Sequence, residues 1–322
     1  MQTKILGRTG LEVPIVSLGT VFIGDVSPVG ETWKEIDEDL GAETVVAAIE
    51  AGCTLVDTAP LYEYTKSEKI IGRVLRERPD LAAKCTVTTK VGYLGESEDR
   101  DYSYDAIRRG VDGSLARLGL EGFEVLYIHD PMDFPMKDVM ADDGALGALR
   151  ALQKEGILKY VGIAANDPAA NGPYIETGEF DVAVVPDAWS LLNRTAATEV
   201  FPAIEKHNVG VALATPLERG LLATGPIPGR TYLNRNFNEA TLSRVGKIKD
   251  LCNDYSVPLV AVSLQWCTRH PLVATTIPGG RNKQEVVENA QAGAMDIPDA
   301  LWEDLEPLIQ DWEASHVVKV GN

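Results

Sequence analysis

The chain has 322 residues, of which 45% are hydrophobic and 24% charged, a composition typical of globular proteins and not of disordered or fibrous ones. Its formal net charge is −18 and no run of Lys or Arg is long enough to follow a phosphate backbone, so we expect no nucleic-acid partner. The four cysteines show neither a Cys-x-x-Cys pair nor zinc-ligand spacing, so we predict no metal site and no disulfide framework. The amino terminus lacks a signal-peptide core and no apolar stretch approaches about 20 residues. We therefore expect a cytoplasmic protein that does not enter membranes.

Residues 4–13 are predicted to form an N-terminal β-hairpin, after which short apolar runs alternate with stretches of helical period. The predicted strands are 15–19, 54–56, 85–89, 125–128, 160–164, 182–185, 210–214 and 273–277. The predicted helices are 43–51, 67–76, 104–118, 145–154, 197–206 and 238–254, followed by a C-terminal extension with one helix from Lys283 and another around 300–309. Long loops are predicted at 21–39 and 218–236.

Alternating strands and helices with continuously apolar strands indicate an α/β protein whose parallel sheet is covered on both faces. Eight strands without a change in composition favour closure into a (β/α)8 TIM barrel. A doubly wound sheet is the main alternative, but no G-x-G-x-x-G motif follows a predicted strand. We therefore predict that residues 1–322 form a single barrel domain with an N-terminal hairpin and a C-terminal extension.

Polar residues close several of the predicted strands. Asp57, Lys90 and His129 each stand at the end of a strand, and Tyr62 follows Asp57 by five residues. Active sites of TIM barrels lie at this end of the strands, so we expect these side chains to meet. A Tyr phenol needs a nearby cation to exchange protons at neutral pH, which Lys90 could supply while Asp57 holds it. His129 would complete a site able to polarise a carbonyl oxygen or take a proton from an alcohol.

Each of these residues also has a simpler structural explanation. Asp57 could cap a helix, Tyr62 could line a half-buried wall, and His129 could be a satisfied core residue. These explanations would have to place an acid, a base, a cation and an imidazole at one end of adjacent strands by chance. The combination therefore favours a catalytic site.

Four spaced motifs are similar to those of the aldo-keto reductases: V-D-T-A-P-L-Y (56–62), T-T-K-V-G (88–92), Y-I-H-D-P (127–131) and I-P-G-G-R-N-K-Q-E-V-V-E-N (277–289). The chain most resembles the aldose 1-dehydrogenase and pyridoxal 4-dehydrogenase branch. The resemblance implies an NAD(P)-dependent oxidoreductase that moves hydride between nicotinamide and a carbonyl, alcohol or sugar hemiacetal carbon. It implies that Tyr62 transfers the proton, that Lys90 and Asp57 tune it, and that His129 orients the carbonyl.

The resemblance also implies a set of cofactor contacts. Gly19 and Thr20 would line the nicotinamide, and Asn166 would bond its carboxamide. The pyrophosphate would lie against Thr215, Pro216 and Leu217, the adenosine half would lie against Gly279, Gly280, Arg281, Glu288 and Asn289, and further cofactor contacts are predicted at Asp57, Gly220 and Ile277.

This chain departs from the family pattern near the nicotinamide. Ala165 stands where many members have Ser, Pro186 where they have Gln, and Ala214 where they have an aromatic residue. Glu63 replaces the Gly that usually follows the catalytic Tyr.

The expected cofactor is NAD(P), with a slight preference for NAD. Members that prefer NADP often carry Lys and Arg where this chain has Gly279 and Glu285. A carboxylate facing the 2′-phosphate is unfavourable, although Arg281 could pair with that phosphate. The expected partner is a small carbonyl or sugar substrate, and the sequence sets no oligomeric state.

Three other functions are considered. A general aldehyde or ketone reductase would use the same site. A Schiff-base lyase would use Lys90 as nucleophile, but would have no use for the adenosine-binding motif at 277–289. A regulatory protein that binds cofactor without turnover would not need all four catalytic positions filled.

Overall fold

The computed structural model describes residues 1–27, 32–230, 232–233 and 235–309, and the backbone of 317–319. The strands are β1 (Thr3–Ile5), β2 (Glu12–Pro14), β3 (Leu18–Gly19), β4 (Leu55–Asp57), β5 (Thr86–Val91), β6 (Phe123–His129), β7 (Leu158–Ala164), β8 (Val182–Val185), β9 (Gly210–Leu213), β10 (Arg235–Phe237), β11 (Val273–Thr276) and β12 (Val317–Lys319). The helices are α1 (Glu38–Glu50), α2 (Lys66–Glu77), α3 (Pro79–Ala82), α4 (Tyr104–Leu118), α5 (Met136–Val139), α6 (Ala145–Lys154), α7 (Pro168–Glu176), α8 (Ala196–Glu199), α9 (Phe201–His207), α10 (Leu221–Thr224), α11 (Glu239–Asp254), α12 (Leu259–Arg269), α13 (Lys283–Ala294) and α14 (Asp299–Leu305). None of the helices within these ranges is long and apolar enough to cross a membrane.

Eight parallel strands form the central sheet, in the order β3 to β9 followed by β11. The sheet closes on itself, because the chain around β3 bonds to the chain around β11. The main-chain N–H of Ser17 donates to the carbonyl of Thr276 at 2.8 Å, and Gly19 forms a parallel bridge with Gly279. The predicted (β/α)8 barrel is confirmed.

The inside of the barrel is filled with side chains and its lower end is covered. Strands β1 and β2 form the predicted antiparallel hairpin, and Leu6 and Val13 from this hairpin are buried against inner-face residues of the barrel strands. Above them, the ring of Tyr127 fills the space over Gly162, where a Cβ atom would lie 2.2 Å from the ring. The barrel is therefore a packed core open at its carboxyl-terminal end, as in other TIM barrels.

Several predicted elements differ in their bounds. Strand β5 extends to Val91, so Lys90 lies within a strand and not after one. The helix predicted at 197–206 is two helices, α8 and α9, because Pro202 is accepted only in the first turn of a new helix. Helix α7 was not predicted, since Pro168, Gly172 and Pro173 obscure its helical pattern. Helix α12 was also missed, because its apolar residues show no clear period.

The turn between β4 and α2 has a strained backbone. Glu63, Tyr64 and Thr65 have φ values of 53°, 51° and 72°, a left-handed conformation that a glycine adopts without strain. Glu63 is also only 1% exposed, and neither of its carboxyl oxygens has a partner among the described residues. Burial first, and then the carboxylate of Asp25, raises the pKa of Glu63 to about 9. The residue is therefore a buried, neutral carboxylic acid at neutral pH.

Glu63 is expected to make stability depend on pH. Its pKa rises from an ordinary 4.5 to about 9 on folding, so the native protein loses stability as the pH rises between these values. The Glu63→Gln variant should lack this loss and be more stable than the parent at pH 8 by about 1–3 kcal/mol. Urea unfolding from pH 4 to pH 9 measures both proteins.

The exposed Glu43 on helix α1 gives a matched control. The Glu43→Gln variant should differ from the parent by a nearly constant amount over the same pH range. Parallel stability curves for the parent and Glu63→Gln would rule out a buried neutral carboxyl.

Candidate active site

Three adjacent strands bring Asp57, Lys90 and His129 to the open end of the barrel. The register pairs Asp57 with Thr88 and Lys90 with Tyr127, so that alternate residues of each strand face the interior. All three side chains are almost fully buried, while Tyr62 reaches them from the turn after β4. The four residues predicted from the sequence therefore lie together.

The ammonium group of Lys90 is the centre of this cluster. Its Nζ atom lies 2.5 Å from Asp57 Oδ1, 2.8 Å from the carbonyl oxygen of Thr58 and 3.0 Å from the Tyr62 hydroxyl. Thr88 Oγ1 donates to the second oxygen of Asp57 at 3.0 Å. Burial lowers the pKa of Lys90, but Asp57 and Tyr62 oppose it and leave the pKa above its ordinary value. Lys90 is therefore charged at neutral pH.

The phenol of Tyr62 responds to two opposing effects. Burial raises its pKa, whereas the positive charge of Lys90 favours the phenolate and lowers it. Burial prevails, so Tyr62 is a neutral phenol at neutral pH. The ammonium of Lys90, 3.0 Å away, is placed to stabilise the phenolate when the proton leaves.

His129 is a neutral imidazole. Burial, followed by the charges of Lys90 and Arg100, lowers its pKa well below the ordinary value. Its Nδ1 atom is buried without a partner in the described parts of the chain, and its Nε2 atom lies 3.7 Å from Asp130 Oδ2. The ring centre is 6.1 Å from that of Tyr62, so a substrate oxygen could sit between the two side chains.

A chain of hydroxyl groups fixes the backbone at Asp57. The main-chain N–H and the hydroxyl of Thr20 both donate to the carbonyl of Asp57, at 3.1 and 2.9 Å. Ser67 donates in turn to the Thr20 hydroxyl at 2.9 Å. Thr20 is fully buried, so its side chain serves this support.

The loop after β9 holds the predicted pyrophosphate contacts Thr215, Pro216, Leu217 and Gly220. Its backbone is irregular, with left-handed φ values of 53° at Thr215 and 99° at Gly220 and two more such residues between them. Such a loop can direct its main-chain groups toward an anionic ligand.

Buried and partly buried ion pairs support this loop. Arg219 and Arg235 both bind Asp187, at 2.8 and 3.0 Å, and Arg235 also binds Glu218 at 3.0 Å. Burial raises the pKa of Glu218 to about 7, although Ser190 donates a hydrogen bond to it. Sequence reasoning missed this network, because no local motif links residue 187 to residue 235.

The segment after β11 holds the predicted adenosine contacts. A Cβ atom at Gly280 would lie 2.5 Å from Val286, so this position needs glycine for helix α13 to pack closely. Asn289 Nδ2 donates to the carbonyl of Gly279 at 3.2 Å and Glu288 accepts from Gln284 at 2.8 Å. Ile277, in the same segment, is buried against the barrel interior.

The start of helix α13 is capped from both sides. Asn282 accepts from the N–H of Glu285 at 3.0 Å, and the Glu285 carboxylate accepts from the N–H of Arg281 at 2.8 Å. The Arg281 guanidinium lies 5.6 Å from the Phe22 ring. A carboxylate and a guanidinium therefore share the place where the adenosine end is expected.

These residues fit an extended dinucleotide. Asn166 is exposed after β7, Gly19 and Gly279 bring two backbones together, and Arg219 has a buried Nε atom without a partner among the described residues. All of these lie beyond the carboxyl ends of β3, β7, β9 and β11. In the described ranges no group of three or more His, Cys, Asp or Glu side chains is arranged to hold a metal ion.

The comparisons with known proteins agree with this geometry. Residues 18–310 match the model of the aldo/keto reductase family. The chain is 26% identical to pyridoxal 4-dehydrogenase of Microbacterium luteolum, over 94% of this chain and 96% of the relative. It is 28% identical to D-threo-aldose 1-dehydrogenase of a Pseudomonas species, over 92% and 94%.

The fold is shared with a solved aldo-keto reductase from Bacillus halodurans in its holo form. The TM-score is 0.79 at 24% identity, with 98% of this chain and 99% of the other covered. The family model and the fold cover the same barrel that carries Asp57, Tyr62, Lys90 and His129. The chain therefore belongs to the aldo/keto reductase family and is an oxidoreductase.

Proposed function

We propose that the protein is an NAD(P)-dependent dehydrogenase that oxidises the anomeric carbon of a free aldose or the hemiacetal carbon of pyridoxal. The observation that carries the chemistry is the hydrogen bond from the buried Lys90 ammonium to the Tyr62 hydroxyl, beside a neutral His129. The two named dehydrogenases that the chain resembles support the substrate class.

The four residues divide the proton chemistry among them. When bound, the nicotinamide supplies the site with a hydride acceptor or donor. During oxidation the phenolate form of Tyr62, which the Lys90 ammonium stabilises, takes the hydroxyl proton of the substrate. During reduction the neutral phenol gives its proton to the carbonyl oxygen. Asp57 keeps Lys90 charged and in place. His129 would present Nε2, which lies 3.7 Å from Asp130 Oδ2, to the substrate oxygen, because its Nδ1 atom is buried.

The proposed cofactor site runs across the mouth of the barrel. Asn166 would hold the nicotinamide end, and Thr215, Pro216, Leu217 and Gly220 the pyrophosphate. The adenosine end would lie near Gly279, Gly280, Arg281, Glu288 and Asn289.

The alternative of a Schiff-base lyase is disfavoured by the state of Lys90. A nucleophilic lysine needs a neutral amine, whereas the three N–H groups of Lys90 are directed at Asp57, Thr58 and Tyr62 and its pKa is raised. A general aldehyde or ketone reductase would use the same groups, and a substrate screen separates it from the dehydrogenase.

The screen measures kcat/KM for aldoses, pyridoxal and simple aldehydes with both nicotinamides, by the absorbance of the reduced cofactor. We expect an aldose or pyridoxal to be the best substrate and NAD to be preferred, because Glu285 lies where a 2′-phosphate would approach Arg281. The Glu285→Gln variant should gain about tenfold in kcat/KM for NADP relative to NAD.

The Glu303→Gln variant, at an exposed position on α14, controls for the loss of one charge and should keep the parent's ratio. A strong NADP preference in the parent enzyme would defeat the NAD assignment. Simple aldehydes as the best substrates would favour the general reductase.

The Tyr62→Phe variant should lower kcat by about 10²–10⁴-fold, because it removes the group that exchanges the proton. Its affinity for the reduced cofactor, followed by nicotinamide fluorescence, should stay unchanged. Tyr160, whose hydroxyl donates to Thr9 at the other end of the barrel, gives a Tyr→Phe control with full activity. Equal activity in Tyr62→Phe would remove Tyr62 from the mechanism.

The Lys90→Met variant should lower the free energy of unfolding by about 3–5 kcal/mol, because Asp57 is left as a buried charge without its partner. The double variant Asp57→Asn with Lys90→Met removes both charges and should recover much of this loss. Without the Lys90 charge to favour the Tyr62 phenolate, its oxidation rate should rise only at higher pH. Because the pKa of Lys90 is raised above 10.5, the pair stabilises the native state throughout neutral pH and is lost only above that value.

Urea unfolding and a pH profile of kcat measure these two effects. The exposed pair of Lys206 and Glu176 is the control, and Lys206→Met should change stability by less than about 1 kcal/mol. If Lys90→Met cost no more than this control, the buried pair would not stabilise the site.

A further inference from the structure

Asp130, the residue after His129, has an unusual setting at the mouth of the barrel. Its backbone is left-handed, with φ 47° and ψ 55°, which strains an aspartate. Two contacts hold it there: its N–H donates to the carbonyl of Ala164 at 2.8 Å, and Arg100 donates to its carbonyl at 2.6 Å. The side chain is only 6% exposed. The conformation turns the carboxylate toward the end of the neighbouring strand β7.

The carboxylate of Asp130 accepts two hydrogen bonds from Asn166. Oδ1 accepts from the main-chain N–H of Asn166 at 2.9 Å, and Oδ2 accepts from its side-chain Nδ2 at 2.9 Å. An ionised carboxylate only accepts hydrogen bonds, so the amide nitrogen of Asn166 must face it. The amide oxygen is then the end left for a ligand. Asn166 itself is exposed.

The neighbouring positions offer no substitute for this oxygen. Ala165 directly follows β7 and Pro186 directly follows the neighbouring strand β8, and neither has a polar side-chain atom. Of these three residues, Asn166 alone has a side-chain amide that can hydrogen-bond the carboxamide of a nicotinamide. That polarity depends on which way its amide is turned.

We propose that Asp130 is a positioning residue that turns the Asn166 amide so that its oxygen accepts a hydrogen bond from the carboxamide N–H of a bound nicotinamide. This inference rests on the proposed nicotinamide function. Asp130 acts on the nicotinamide through Asn166. Its Oδ2 also accepts from the Tyr93 hydroxyl at 3.4 Å and lies 3.7 Å from His129 Nε2, so cofactor affinity, and not turnover, is the measurement that isolates this role.

The Asp130→Asn variant replaces one of the two acceptor oxygens that face Asn166 by a donor NH2 group. An asparagine at 130 has one acceptor and one donor end, while Asn166 presents two donors to it. The main-chain N–H cannot turn, so the Asn166 side chain must flip and present its NH2 to the ligand. We expect the Kd for NADH to rise about tenfold, because a donor then faces a donor. ADP-ribose lacks the nicotinamide, so its Kd should change by less than about twofold.

A charge-conserving swap tests the orientation itself. In the double variant Asp130→Asn with Asn166→Asp, the amide at 130 accepts from the main chain and donates to the carboxylate at 166. The second oxygen of that carboxylate then faces the ligand as an acceptor. NADH affinity should return to within about threefold of the parent, whereas Asn166→Asp alone places two carboxylates together and should bind weakly.

Isothermal titration calorimetry of the full-length protein at pH 8 measures all of these affinities. This pH is chosen because burial raises the pKa of Asp130, while the Asn166 N–H, Tyr93, Lys90 and Arg100 favour its ionised form. Asp138→Asn, at an exposed position on helix α5, is the control and should bind NADH like the parent.

Three results would overturn the inference: parent-like NADH binding by Asp130→Asn, equal weakening of NADH and ADP-ribose, or no recovery in the swap. A parent protein that binds neither ligand would overturn the proposed function as well. If the parent binds NADH no more tightly than ADP-ribose, the protein does not recognise the nicotinamide. That result would overturn the role of Asp130 but not the proposed function.

Discussion

The ion pair between Asp57 and Lys90 is buried, with side-chain exposures of 4% and 1%, and the mouth of the barrel is arranged around it. Removing two charges from water costs several kcal/mol for each ion, so the pair is tolerated only where other groups complete its hydrogen bonds. Thr88, the carbonyl of Thr58 and the phenol of Tyr62 supply those bonds. The last of them matters for the proposed chemistry, since the same ammonium that pairs with Asp57 lowers the pKa of Tyr62 against the effect of burial. The hydrogen bond between Lys90 and Tyr62 thus helps to offset the cost of burying the ion pair and also serves the proposed proton transfer.

A second group of charged side chains, buried or partly buried, lies on the other side of the mouth. Asp187, Glu218, Arg219 and Arg235 connect the end of β8, the loop after β9 and strand β10. Because the pKa of Glu218 is about 7, the two guanidinium groups face one full carboxylate charge and a second carboxyl that is only partly ionised at neutral pH. The cradle proposed for the cofactor therefore depends on side chains far apart in sequence, whereas the cluster around Lys90 depends on three neighbouring strands.

This difference explains what the sequence could and could not predict. The barrel and the clustering of polar side chains around Lys90 were predictable, because apolar runs mark strands and a polar residue at the end of a run marks the mouth, as for Asp57 and His129. The split between α8 and α9 at Pro202 and the hidden helix α7 were missed, because prolines interrupt a helical pattern without always ending a helix. The grip of Asp130 on Asn166 and the cluster around Asp187 depend on loop conformations with positive φ, which residue types alone do not reveal. Glu63 is an intermediate case: its departure from glycine was visible in the sequence, but its burial and strain were not.

The hairpin at the amino terminus affects how ligands enter and leave the barrel. Leu6 and Val13 seal the lower end of the barrel, and Tyr127 packed over Gly162 fills the space above them. Because the described residues fill the barrel axis at its lower end, we expect ligands to reach Lys90 from the carboxyl-terminal end of the strands. If cofactor and substrate both enter at that end, they exchange in a fixed order, because the molecule that lies deeper cannot leave before the other.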